Sequence, residues 1–69
     1  KALEKAKTHL SPRQKEIFEL NKEYGMSISE ISSRLSVTEQ VVRNQLSAAL
    51  KVLRTELRQY YPLLLIFLA

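Results

Sequence analysis

Residues 27–46, SISEISSRLSVTEQVVRNQL, decide the fold because they contain two helix starts in quick succession. The segment SISE at 27–30 is a capping box, in which Ser27 and Glu30 each accept a hydrogen bond from the other's backbone N–H, and it predicts a short helix. Ser36 and Val37 then form a tight connection, and Thr38 is the predicted N-cap of the next helix. A short helix, a turn of about three residues and a longer helix make a helix-turn-helix pattern. An ordinary helical bundle fits the same signals.

The second helix of this pattern is predicted to be the longest in the chain. It runs from Glu39 to about Tyr60, and Pro62 prevents its continuation. Its apolar residues recur at helical spacing and form one stripe: Val42, Leu46, Ala49, Leu50, Leu53 and Leu57. Small Ser32 lies where the two helices must cross closely. The residues predicted to fill the wedge between them are Ile31, Leu35, Val37 and Val42.

Two further helices are predicted upstream of this pattern. Residues 1–8, KALEKAKT, are rich in helix formers. Ser11, Pro12 and Gln14 form another capping box with proline at the first turn, and the helix that they open should reach Tyr24. Gly25 then stands where a helix end requires a positive φ. The predicted fold is therefore all-α, a compact bundle of about four helices that contains the helix-turn-helix.

The predicted domain covers residues 1–62, and we interpret it as the C-terminal piece of a longer chain. Residues 63–69, LLLIFLA, form a wholly apolar tail. As a helix they would measure roughly 10 Å, about a third of a bilayer core, so no membrane span is predicted. The favoured interpretation is that the tail folds back and completes a small core. The alternative is a docking segment for a partner protein.

Composition excludes most kinds of catalytic and metal site. The chain has no cysteine and no aspartate, and it has one histidine and one glycine. Disulfides, cysteine-based zinc sites, His/Asp triads and glycine-rich phosphate loops are therefore ruled out. His9 is predicted to have a surface role, and no catalytic, metal or cofactor-binding residue is predicted. The net charge of +4 favours an anionic partner without identifying it.

The arrangement of charge on the long helix is more informative than the total. With about 100° of turn per residue, all its bases fall in one arc: Arg43, Lys51, Arg54 and Arg58. Gln40, Asn44 and Ser47 lie in this arc or at its edge, whereas Glu39 and Glu56 lie outside it. A face with amides and one sign of charge suits a groove lined by phosphates and base edges.

Distance along the helix divides these residues into groups. In a helix-turn-helix, the N-terminal part of the second helix meets the bases, so the candidates for close contact are Thr38, Glu39, Gln40, Arg43 and Asn44. Lys51 is a predicted phosphate contact. Arg58 lies about 22 Å beyond Arg43 along the axis and cannot share the same base pairs. Arg54 and Arg58 are equally suited to a protein partner or to solvent.

The sequence resembles region 4, the C-terminal domain of sigma-70-family transcription initiation factors, and most closely that of the extracytoplasmic-function (ECF) branch. The resemblance extends from Ala2 to about Arg54 and rests on LSPRQKEIF at 10–18, SISEI at 27–31 and ALKVLR at 49–54. The chain departs from the family pattern at three positions. Ser32 stands where alanine is usual, Ser36 where glycine is usual in the turn, and Glu39 where proline is common. The YYP-plus-apolar ending is similar to that of some members.

This resemblance implies a cytoplasmic, non-enzymatic domain that reads the −35 promoter element in double-stranded DNA as part of RNA polymerase holoenzyme. It implies that Thr38 caps the recognition helix and touches phosphate, that Arg43 holds the backbone or a base, and that the base-facing residues are Glu39, Gln40 and Asn44. It also implies docking on the β-flap of RNA polymerase core and, in many members, binding by an anti-sigma factor. Two alternatives are a LuxR/NarL-type helix-turn-helix effector domain and a helical protein-interaction module without DNA binding.

Overall fold

Four α-helices and one π-helical turn make up residues 2–58, the part of the chain that this computed structural model describes. The helices are α1 (Ala2–Lys7), α2 (Pro12–Phe18), α3 (Ile28–Leu35) and α4 (Glu39–Leu57), and the π-helical turn (Glu19–Glu23) directly follows α2. No β-strand occurs among these residues. The predicted all-α bundle with a helix-turn-helix, formed by α3 and α4, is confirmed.

Both predicted capping boxes are present. At the start of α2, Ser11 Oγ accepts from the Gln14 backbone N–H at 3.2 Å, and Gln14 Oε1 accepts from the Ser11 N–H at 3.0 Å. At the start of α3, Ser27 Oγ accepts from the Glu30 N–H at 3.1 Å, and Glu30 Oε1 accepts from the Ser27 N–H at 2.8 Å. Backbone and side-chain hydrogen bonds from Ser27 lower the pKa of Glu30. The stabilising effect of this carboxylate is therefore present at neutral pH and is lost as pH falls through its lowered pKa.

Ser27→Ala is expected to lower the free energy of unfolding by about 1 kcal/mol, because it leaves an N-terminal N–H of α3 without its acceptor. Urea titration followed by circular dichroism measures the change. Ser29→Ala is the matched control, since Ser29 is exposed on the same helix and makes no capping contact among residues 2–58. Equal losses in both variants would contradict the capping role of Ser27.

The turn between α3 and α4 is built without glycine. Ser36 ends α3 in the left-handed region with φ 58°, and the Ser32 carbonyl accepts from the backbone N–H groups of Ser36 and Val37. The Ser32 hydroxyl donates to the Val37 carbonyl at 2.5 Å, so this half-buried serine joins the helix to the turn. Thr38 Oγ1 then accepts from the Val41 N–H at 3.1 Å, as the predicted N-cap of α4. Serine is therefore compatible with the turn at both positions.

The predicted regular helix from Pro12 to Tyr24 is wrong in its second half. The α-helical part ends at Phe18, and the chain continues as the wider π-helical turn, in which the Tyr24 N–H donates to the Glu19 carbonyl five residues back. This turn places Glu19 and Glu23 around a lysine of α1, a long-range contact that periodicity does not reveal. Gly25 follows with φ 72°, in agreement with the predicted positive value.

The core consists of two apolar clusters along α4. The N-terminal cluster joins α2, α3 and α4 through buried Ile17, Ile31 and Val42, with Leu35 and Val37 packed against it as predicted for the wedge. The second cluster joins α1 and α2 to the C-terminal half of α4. Its buried residues are Ala6, Leu10, Phe18, Ala49, Leu53 and Leu57. Leu46 packs against both clusters, so the predicted stripe of α4 is the common wall of the core.

Three predictions lie outside the described residues or extend beyond them. They are the helix end near Tyr60 with its stop at Pro62, the apolar tail at 63–69, and the domain boundary at 62. Within the described part, α4 is assigned as far as Leu57.

A lysine of α1 forms ion pairs with two glutamates of the π-helical turn. The Lys7 residue is only 2% exposed, and its Nζ lies 3.3 Å from Glu4, 3.0 Å from Glu19 and 2.6 Å from Glu23. Burial by itself lowers the pKa of Lys7, but the hydrogen bonds that its ammonium donates to Glu23, Glu19 and Glu4 outweigh this effect and hold the pKa above its ordinary value. This ammonium is therefore charged, and it connects two elements that are distant in sequence.

Candidate nucleic-acid interface

The helix-turn-helix presents the outer face of α4 to solvent. The inner face of α4 packs in the two apolar clusters, and Thr38 caps the N-terminus of this helix. All seven residues predicted to bind DNA are exposed: Thr38, Glu39, Gln40, Arg43, Asn44, Ser47 and Lys51. The structure therefore brings them together on one surface of one helix, where a ligand can reach them.

The prediction of a one-signed outer face is wrong at its N-terminal end. Arg43 Nη2 donates to Glu39 Oε1 at 3.1 Å, and both side chains are about half exposed. By its angular position, Glu39 lies outside the arc of basic residues. However, residues four apart on a helix are neighbours, and a long arginine side chain spans the remaining distance. The Arg43 guanidinium thus has an acidic partner in the domain without DNA. Exposed pairs of this kind contribute only about 0.2–1 kcal/mol, so a phosphate or a base can displace Glu39 at small cost.

A second pair lies beside the first one. Gln40 Nε2 donates to Asn44 Oδ1 at 2.8 Å, again between residues four apart. This bond orients both amides and leaves the Gln40 oxygen as an acceptor and the Asn44 nitrogen as a donor. These are the groups that hydrogen-bond to base edges in the major groove.

The bases further along α4 differ in exposure. Lys51 and Arg58 are exposed, whereas Arg54 is half-buried. Within residues 2–58, none of the three forms an ion pair with a carboxylate. The positive potential of the outer face therefore comes mainly from this part of the helix.

Glu56, the second acid of α4, faces the turn that follows α1. Glu56 Oε1 lies 3.4 Å from His9 Nε2, with the His9 side chain 51% exposed. The surface position predicted for His9 is confirmed, but its contact with Glu56 depends on the packing of α1 against α4 and has no signal in the local sequence. The contact keeps Glu56 away from the outer face, as predicted from its angular position.

No cluster of three or more His, Cys, Asp or Glu side chains suited to a metal ion occurs within residues 2–58. No helix in the same range is long and apolar enough to cross a membrane.

The fold and the exposed face of α4 define a helix-turn-helix domain. A family model for sigma-70, region 4 matches residues 1–53, and the chain belongs to this family. It is a DNA-binding regulatory family and not a catalytic one, and it acts with RNA polymerase in promoter recognition. The match favours the sigma interpretation over the LuxR/NarL-type and protein-interaction alternatives. No curated protein and no solved structure matches the chain significantly.

Proposed function

We propose that this domain recognises the −35 element of promoters by inserting the N-terminal half of α4 into the major groove. The observation that carries the proposal is the exposed first turn of α4, which is capped by Thr38 and presents two pairs of polar side chains on a DNA-binding fold. A capped, packed helix presents these groups with little loss of conformational entropy on binding.

The contacts that we propose follow from the hydrogen-bonding groups that remain available. The Thr38 oxygen accepts the Val41 N–H, so its own hydroxyl proton is available for a phosphate oxygen. Gln40 and Asn44 face base edges, and the amide of either residue is suited to adenine. Ser47 lies one turn further along the same face, and Lys51 neutralises a phosphate.

The pair formed by Glu39 and Arg43 is proposed to separate on binding. Arg43 then contacts the DNA backbone or a guanine, and Glu39 accepts from the amino group of a cytosine. Since both side chains are exposed and their ion pair is weak, this exchange requires no change in the fold.

Asn44→Ala and Lys51→Ala are expected to have different effects on duplex binding. Asn44→Ala should relax base preference at one or two base pairs by about 1–3 kcal/mol, because it removes a group that reads a base edge. Lys51→Ala should weaken binding to all sequences and lower the slope of log K against log salt by about 0.9, the value for one phosphate. Fluorescence anisotropy with duplex variants across a salt series measures both quantities.

The matched control for the lysine is Lys5→Ala. Lys5 is also exposed, but it lies on α1, which packs against the C-terminal half of α4. Its replacement should leave the salt slope unchanged. If Asn44→Ala and Lys51→Ala both leave recognition intact, the assignment of the DNA-binding face to α4 is incorrect.

We also propose partners and a location that the resemblance implies. The domain docks on the β-flap of RNA polymerase core in the cytoplasm, and an anti-sigma factor of the kind known for the ECF branch covers it. We assign Arg54 and Arg58 to contacts with these proteins, together with the apolar residues 63–69, which lie outside the described part of the chain. Docking on polymerase would raise the effective concentration of the domain at the promoter, so a moderate intrinsic affinity for DNA is sufficient.

A further inference from the structure

An apolar side chain stands among the polar groups at the start of α4. Val41 is 38% exposed and is one of two exposed large hydrophobic residues within residues 2–58, the other being Tyr24 after the π-helical turn. A single exposed valine is common on protein surfaces. The position of this one is distinctive, because it lies in the first turn of the helix that faces DNA under the proposed function.

The side chains around Val41 already have partners or are buried. Glu39 bonds to Arg43, Gln40 bonds to Asn44, and Val42 is fully buried in the core. The Val41 backbone N–H is held by the Thr38 cap, which fixes the local backbone. Val41 therefore leaves part of its apolar surface open to a ligand, on a backbone that the cap holds in place. Neither the core nor helix propensity requires a β-branched residue at this exposed site.

Val41 is also next to Asn44, whose amide is suited to adenine. Residues three apart on a helix are neighbours on its surface, so Val41 and Asn44 meet adjacent parts of the same groove. The major-groove edge of DNA carries one apolar group, the C5 methyl of thymine. An apolar side chain can contact a thymine methyl group while the neighbouring amide bonds to an adenine. The two side chains together therefore fit two neighbouring A·T pairs.

We propose that Val41 is a specificity-determining residue that packs against the C5 methyl group of a thymine next to the base pair contacted by Asn44. The inference rests on the proposed function, since it requires α4 to lie in the major groove. It adds an apolar contact to a face that was predicted from polar and charged residues alone.

The test uses uracil, which differs from thymine only by the absence of this methyl group. Duplexes that bind the 69-residue chain are selected from a random-sequence library, and each thymine in the selected site is then replaced by deoxyuridine, one at a time. The wild-type chain should lose about fourfold in affinity at one position, the effect expected for one buried methyl group. Val41→Ala should bind the thymine duplex about fourfold more weakly and should no longer respond to uracil at that position.

The control variant is Thr55→Ala, which truncates another exposed β-branched residue on α4 about 21 Å further along the axis. It should keep the wild-type response to uracil. Val41→Ala should fold, because the site is exposed and alanine has the higher helix propensity, and a thermal melt of the variant verifies this.

If no single uracil affects the wild type, or if Val41→Ala keeps the wild-type response, the role of Val41 is overturned. Sensitivity to Asn44→Ala and Lys51→Ala in the same assay would then leave the proposed function standing. If the wild-type chain shows no preference for any duplex, both the proposed function and the role of Val41 are overturned.

Discussion

Phe18→Ala is expected to lower the free energy of unfolding by about 3–5 kcal/mol, which is the usual cost of truncating a buried phenylalanine. Phe18 is the largest fully buried side chain of residues 2–58, and it packs in the cluster that joins α1, α2 and the C-terminal half of α4. A domain of this size has a total stability of only about 3–10 kcal/mol. The variant should therefore lose at least about a third of the total stability, and its unfolding midpoint should fall to a much lower urea concentration.

Urea titration followed by circular dichroism measures this loss, and Tyr24→Ala is the matched control. Tyr24 is also aromatic, but it is 75% exposed, so its replacement should change stability by less than about 0.5 kcal/mol. Similar midpoints for Phe18→Ala and the wild type would show that the second cluster is not the core of the folded chain.

The parts of the fold that were predicted correctly depend on local chemistry. A capping box involves residues three apart, so Ser11 with Gln14 and Ser27 with Glu30 can be recognised before any tertiary structure is known. The stripe of α4 is similarly a property of helical spacing alone. The same stripe also predicted that the candidate site is exposed, because residues opposite the buried face of a helix lie on its solvent side.

The parts that were missed depend on contacts between distant segments. The π-helical turn, the burial of Lys7 and the contact of His9 with Glu56 all arise where α1 packs against the rest of the chain. Hydropathy predicts that a lysine is exposed, and no local signal indicates that acids from another element will surround it.

The ion pair between Glu39 and Arg43 was also not predicted, but for a different reason. Its spacing of four residues is a local signal, and the general rule for such pairs identifies it. Glu39 and Arg43 lie at different angles around the helix axis, but the long, flexible arginine side chain bridges this difference. The candidate site is therefore less positive at its N-terminal end than the sequence pattern suggested.

Lys7→Met is expected to lower the free energy of unfolding by about 2–3 kcal/mol, although methionine fills a similar volume. The substitution leaves the carboxylates of Glu4, Glu19 and Glu23 close together without the cation that neutralises them. Removing one partner of a fully buried ion pair costs about 3–5 kcal/mol. The loss should be smaller here because these carboxylates are 68%, 29% and 39% exposed and retain contact with water.

The pH dependence of this loss distinguishes an effect of charge from one of packing. Because the folded state raises the pKa of Lys7, the stabilisation is fully present below the ordinary pKa of 10.5 and is lost as pH rises through the raised pKa. The difference between wild type and Lys7→Met should therefore stay constant from neutral pH to about 10 and shrink only in stronger alkali. Lys22→Met, which replaces an exposed lysine of the π-helical turn, should change stability by less than about 0.5 kcal/mol. If Lys7→Met were as stable as the wild type, desolvation of the ammonium would cancel its attraction to the three glutamates, and these ion pairs would make no net contribution to stability.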